Sequence, residues 1–172
     1  MSTWVSVYCQ KPTGNIELAD LSAAIRQRVS AFSELYAQQN PDDALARLRG
    51  AELARTDDFQ LLHLHYLAAD LPIVLFRFSN PGEVAVEVQG RLEPLSKDKQ
   101  GKGDAIVRSH LGQVVEVFHF SLKQQHAAGM GTPLVYAGSS WLADRGKGLI
   151  RVEGRGWVQP GPGGKFAAVE SQ

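Results

Sequence analysis

Apolar and polar residues alternate along this chain with two different periods, and the changes of period mark out its elements. Residues 3–9 repeat every second position: Val5 and Val7 fall on one side, Trp4, Ser6 and Tyr8 on the other, the pattern of a β-strand. The turn cluster Lys11-Pro12-Thr13-Gly14-Asn15 follows. From near Asn15 or Ile16 the repeat lengthens. Leu18, Leu21, Ile25, Val29, Phe32 and Leu35 recur three or four apart, which makes one apolar stripe of a helix. Asn40-Pro41-Asp42-Asp43 then joins a capping side chain, a first-turn proline and acids suited to the positive end of a helix dipole. It predicts a short second helix that Gly50 ends.

Past Asp57 the period returns to two. Residues 59–67 and 71–78 read as strands, with Ser79-Asn80-Pro81-Gly82 as a turn between the second and a third. In that third segment Val84, Val86 and Val88 alternate with Ala85, Glu87 and Gln89, giving one dry and one wetter face. The three form an antiparallel meander. Residues 96–103 are a polar loop, and Asp104 caps a short helix to His110 that Gly112 stops. A strand over 114–122 follows, and Thr132-Pro133 opens a helix that Gly146 or Gly148 closes. Residues 149–158 make the last strand. The order predicts an α+β fold: a single domain over 1–158, with a mostly antiparallel sheet and helices packed mainly on one face. Residues 159–172 are expected to be a flexible C-terminal tail.

Composition changes this picture little. The 172 residues suit one domain. The 18 Lys and Arg balance the 18 Asp and Glu, which argues against general nucleic-acid binding. The charge is unevenly placed. Residues 1–95 hold 8 Lys/Arg and 12 Asp/Glu, and residues 96–172 hold 10 and 6, so the halves carry −4 and +4. The lone Cys9 suits a reducing, cytoplasmic setting. The first residues have neither a cationic segment nor an apolar core, so no secretory signal is expected. No apolar run approaches the ~20 residues of a membrane helix.

Candidate chemistry is sparse. His63 and His65 lie two apart on an expected strand, so both imidazoles face one side and can meet one metal ion. A third ligand would come from His110, His119, His126, Asp57 or Asp58. No His-Glu-x-x-His motif or cysteine pair accompanies the two, and an ordinary hydrogen-bonded strand face explains them as well. Cys9 closes an apolar strand without a neighbouring base, so it reads as a packing residue. Ser139 and Ser140 lie inside an expected helix and lack the glycine that a nucleophile elbow places after its serine. Gly161-Pro162-Gly163-Gly164-Lys165 and Gly129-Met130-Gly131-Thr132-Pro133 lack the context of phosphate loops. No cofactor is implied. Trp4, Trp141 and Trp157 are expected to anchor the core, or to mark a partner surface wherever one is exposed.

The stretch from Ser139 to Trp157 runs Ser-Ser-Trp-Leu-Ala-Asp-Arg-Gly-Lys-Gly-Leu-Ile-Arg-Val-Glu-Gly-Arg-Gly-Trp. It resembles a helix-to-strand pattern of small stand-alone bacterial α+β proteins, several of which are immunity proteins encoded beside secreted polymorphic toxins. The resemblance covers this segment alone and carries over no site residue. It implies a binding protein that occludes a cognate protein toxin; the balanced charge, the short apolar runs and the lack of a catalytic constellation add the expectations of no nucleic-acid partner, no membrane partner and no catalytic residues. The neutral charge departs from the acidic inhibitors of basic nucleases. The acidic first half is the expected face for a cationic toxin surface, through Asp42, Asp43, Asp57, Asp58, Glu83, Glu87 and Glu93. Two rival readings are a small metal-dependent hydrolase built on His63 and His65, and a structural or regulatory subunit that oligomerises through a strand edge.

Overall fold

The structure, a computed structural model, describes residues 2–36, 39–67, 71–95 and 102–169. The strands are β1 (Ser2–Cys9), β2 (Arg49–Thr56), β3 (Phe59–His65), β4 (Ile73–Phe78), β5 (Glu116–Lys123), β6 (Gly148–Val152), β7 (Gly156–Pro160) and β8 (Phe166–Ala168). They form one sheet in the order β2-β3-β4-β5-β1-β6-β7-β8, in which every neighbouring pair is antiparallel. The helices are α1 (Leu18–Arg28), α2 (Pro41–Arg47), α3 (Pro81–Leu92), α4 (Lys102–Leu111), α5 (Gln124–Ala127) and α6 (Gly131–Gly146). The chain is a single-domain α+β protein.

β1 is central because its alternation serves two layers. Val5, Val7 and Cys9 enter the larger core with Leu21 and Ile25 of α1, Leu134 and Leu142 of α6, and Ala44 of α2. Tyr8 enters a smaller core on the opposite face, with Val84 of α3 and Val107 and Leu111 of α4. Most helices therefore lie on one face, and α3 and α4 cover part of the other. The last turn of α6 runs against β1. A Cβ added at Gly146 would meet Cys9 and Thr13 at 2.5 to 2.9 Å, so only glycine allows that approach.

Several local expectations change. The apolar stripe from Leu18 to Leu35 is α-helix only to Arg28; residues 29–35 are a 3-10 helix with non-helical backbone at Phe32. α4 and α6 begin at Lys102 and Gly131, ahead of the expected caps Asp104 and Thr132. Residues 81–92 are helix, not strand. Asn80-Pro81 is a helix start like Asn40-Pro41: the Asn80 side-chain oxygen Oδ1 accepts from the N–H groups of Gly82 and Glu83 at 3.0 and 3.4 Å. Val84 and Val88, four apart, pack inward, while Val86 is 75% exposed. Gly50 does not end a helix; α2 stops at Arg47 and Gly50 lies in β2, beneath Leu18. β2 itself is a polar edge strand without an apolar stripe. Residues 148–160 are two strands, because Gly154 and Gly156 adopt positive φ and turn the chain back. Beyond residue 159, β8 pairs with β7, and the Phe166 ring packs on Phe32 and Tyr136 with centroids 4.9 and 4.8 Å apart. Of the expected 96–103 loop, residues 96–101 lie outside the described residues.

A buried polar belt ties the β1–α1 connection to the sheet. Arg77 donates to Glu116 at 3.0 Å, with both side chains almost wholly buried. Glu116 also accepts from the N–H and hydroxyl of Thr13 at 2.7 and 2.8 Å. The Gln60 amide bridges both backbone groups of Ile16, at 3.0 and 2.7 Å. Removing one member of a buried pair strands the other charge. Arg77→Met is expected to lower the unfolding free energy by about 3–5 kcal/mol, and the double replacement Arg77→Met with Glu116→Leu is expected to recover part of that loss. Urea unfolding of the three proteins measures both effects.

Candidate functional site

The β1, β4 and β5 registers assemble one polar cluster on the face that carries α3. Across the sheet, Phe76 of β4 stands beside His119 of β5, and His119 beside Ser6 of β1. The period of two then places Trp4 and Tyr8 on the same side as Ser6. α3 crosses this row and contributes Glu87 and Arg91, four residues apart and so on one helical face.

The polar groups bond in a chain. Ser6 Oγ lies 2.5 Å from His119 Nδ1, and His119 Nε2 lies 3.5 Å from Glu87 Oε1. The Tyr8 hydroxyl donates to Glu87 Oε1 at 2.8 Å and accepts from Arg91 Nε at 2.7 Å. Arg91 also pairs with Glu87 Oε1 at 3.2 Å. An ionised carboxylate only accepts. In the neutral ring the proton therefore sits on Nε2, and the Ser6 hydroxyl donates to Nδ1. The hydrogen bond from His119, then that from Tyr8, hold the Glu87 carboxyl down at about 2, against the opposing effect of burial. Burial and the adjacent Glu87 carboxylate both push the Tyr8 hydroxyl up, so it stays protonated.

Around this cluster a cleft of about 330 Å³ opens, lined by Trp4, Ser6, Phe76, Phe78, Glu87, Arg91 and His119. Its rings meet edge to face: Trp4 and Phe76 at 6.0 Å and 80°, Trp4 and His119 at 6.0 Å and 84°. Phe78 and Glu87 are shared with a shallower cavity of about 540 Å³ bounded by Asn80, Gly82, Glu83 and Val86. The two form one groove along α3, with an aromatic floor and a helical wall.

The expected partner-binding acids divide. Glu83 and Glu87 line the groove. Asp58 adjoins its mouth, accepting from Asn80 at 3.3 Å and from Thr56 at 3.0 Å. Asp57 lines a neighbouring cavity with Ser79 and Arg77. Glu93 is at the C-terminal end of α3. Asp42 and Asp43 belong to the first turn of α2, whose Ala44 packs into the larger core on the other face. His63 and His65 are neighbours on β3, with ring centroids 6.2 Å apart. Among the described residues, no three His, Cys, Asp or Glu side chains group so as to hold a metal ion. His126 is buried: Nδ1 accepts from Lys123 N at 3.1 Å and Nε2 donates to Leu71 O at 2.8 Å. His110 Nε2 donates to Tyr8 O at 2.7 Å. Cys9 is buried and its thiol pushed up by burial, then by Glu116, so it is no nucleophile at neutral pH.

Trp4, Tyr8, Arg91 and His119 were not candidates for one site from sequence. The shared face of Trp4, Ser6 and Tyr8 was visible in the period of two, but nothing local joins it to a histidine 113 positions from Ser6. Hydroxyl, imidazole and carboxylate in this order are the parts of a nucleophile and its base. Here, however, Ser6 is 3% exposed and its strand is paired on both sides. The backbone N–H groups of β1 are taken up by its two neighbouring strands and, at Trp4, by the Glu153 carboxylate at 2.9 Å, so they are not turned toward an oxyanion. The arrangement instead fixes an ionised carboxylate in an aromatic groove.

No family model, no curated protein and no solved structure matches this chain.

Glu87 makes the fold acid-sensitive. Its carboxyl ionises near 4.5 when unconstrained and near 2 when folded. Between these values the unfolded chain binds the proton first, so this contribution is full above about pH 4.5 and is lost as pH falls toward about 2. Wild type is expected to exceed Glu87→Gln in urea midpoint at neutral pH, and the gap is expected to shrink across that window. A gap independent of pH would contradict the assignment.

Proposed function

We propose that this protein is an immunity-type binding protein, which neutralises a cognate bacterial toxin by covering it. The observation that carries the reading is the groove along α3. It combines an aromatic floor with Glu83 and Glu87, two of the acids expected from sequence to meet a cationic partner, and with Asp58 at its mouth. Aromatic anchors inside a charged rim are the usual anatomy of a specific protein interface. The likeness of residues 139–157 to small bacterial immunity proteins supports the same conclusion. Inhibition is steric: the partner's working surface is occluded, and the rim charges select it. The complex forms in the cytoplasm of the cell that makes the toxin. Among the described residues, no helix is long and apolar enough to cross a membrane.

Co-expression with toxins encoded by adjacent genes tests this reading. One toxin is expected to lose its lethality and to co-purify with this chain. Val86→Asp changes a side chain that is 75% exposed, so the fold should be unaffected. It is expected to weaken the complex at least about tenfold, or ~1.4 kcal/mol. Absence of both rescue and co-purification rejects the reading.

A further inference from the structure

We infer that the aromatic cleft receives a lysine or arginine side chain of the partner, with Glu87 as its counter-ion; this inference rests on the reading of the groove as the partner's site. Three features select that occupant. The first is the carboxylate itself. Every hydrogen bond that the described residues give to Glu87 falls on Oε1, from Tyr8, Arg91 and His119. A carboxylate has acceptor sites on both oxygens, so Oε2 is the natural landing point for one more donor. The network also keeps the group ionised, so that donor meets a charge.

The second feature is the aromatic floor. Trp4 and Phe76 meet at 80° and Phe78 stacks beyond Phe76 at 6.5 Å. Such surfaces accept the methylene stem of a long cationic side chain and attract its head. A cleft of about 330 Å³ is at the small end of ligand sites, on the scale of one inserted side chain. Trp4 is 37% exposed, so it can be reached without opening the core.

The third feature is the local balance of charge. Among the residues that line the two cavities, Glu83 and Glu87 stand against one guanidinium, that of Arg91, and this guanidinium is already bonded to Tyr8 and Glu87; Arg151 stands beside Ser6 on the same face but outside the lining. The groove is therefore net anionic although the whole chain is neutral. An anionic occupant would meet these acids, and a purely apolar one would bury Glu87 Oε2 without a donor, which costs free energy.

Titration of the intact protein with hexa-arginine tests the inference, read at the Trp4 indole N–H in nitrogen–proton NMR spectra and assigned with Trp4→Phe. Hexa-arginine is expected to shift this signal saturably, and hexaglutamate is not. Glu87→Gln is expected to weaken hexa-arginine about tenfold. Glu83→Gln, which leaves the buried network intact, is expected to weaken it about threefold and keeps the test valid should Glu87→Gln unfold. Asp20→Asn, on exposed α1 surface, removes the same charge and should change nothing. The inference is overturned if hexaglutamate shifts Trp4 as well as hexa-arginine does, if hexa-arginine leaves Trp4 unmoved, or if Asp20→Asn weakens binding as much as Glu83→Gln. A toxin complex abolished by Val86→Asp but indifferent to Glu83→Gln and Glu87→Gln would overturn this inference and leave the immunity reading standing. Hexa-arginine binding without rescue by any adjacent toxin would uphold the cation site and remove that reading.

Discussion

The register of β1 between β5 and β6 is the constraint on which the rest depends. In this register Val5, Val7 and Cys9 meet the helices of the larger core, and Trp4, Ser6 and Tyr8 meet α3. A slip of one residue would exchange the two sets. It would put a serine and two polar-tipped aromatics into the apolar layer and strand His119 without its hydroxyl partner. Core and groove are thus specified together, since the strand that fills one builds the other. The tight passage of Gly146 over Cys9 adds to this, because α6 reaches β1 only where the side chain is absent.

The architecture was legible where one pattern had one physical meaning. The stripe from Leu18 is a helical face as far as Arg28, beyond which residues 29–35 tighten into a 3-10 helix kinked at Phe32; the cap at Asn40 announced its helix, whereas Thr132 lies inside α6, which begins at Gly131 after Met130. Legibility failed where two meanings shared a pattern. Three valines spaced by two satisfy a strand, yet two of them are also four apart and satisfy a helix. The cap at Asn80, whose side chain accepts from two helical N–H groups, decides between them. β2 was hidden for a different reason. As an edge strand with mostly exposed residues, it needs no apolar stripe and carries no periodic signal. β8 was hidden by the glycines before it, which read as an ending but act as a turn. At the groove, Glu83 and Glu87 were accessible through charge alone. His119 was not, because its role arises from contacts between residues more than a hundred positions apart.

Two carboxylate–arginine pairs in this fold illustrate how surroundings decide what a charge does. Glu116 uses both oxygens internally, one on Arg77 and one on Thr13, and both members of the pair are sealed from solvent. That pair holds a connection in place and has nothing left to offer. Glu87 receives its internal donors on one oxygen and retains partial access to solvent. Its neighbours keep it ionised without consuming it. The first is therefore a structural clamp and the second a prepared acceptor, although the residue types are the same.

The same reasoning bears on where a macromolecule would attach. β2 offers eight residues of sheet edge, the obvious place for strand addition. Its register breaks between Glu52 and Ala54, and Arg55 is drawn to Glu52 and Glu17 across the strand. A bulge and charged side chains are the devices by which edges resist pairing. The groove beside α3 has no such defence: its apolar floor is continuous, its hydroxyls and imidazole are internally satisfied, and its remaining acceptor is charged. Association at the edge would have to displace existing contacts, whereas association at the groove adds a donor to a site already organised to receive it, so the groove is the surface at which specificity costs the fold least.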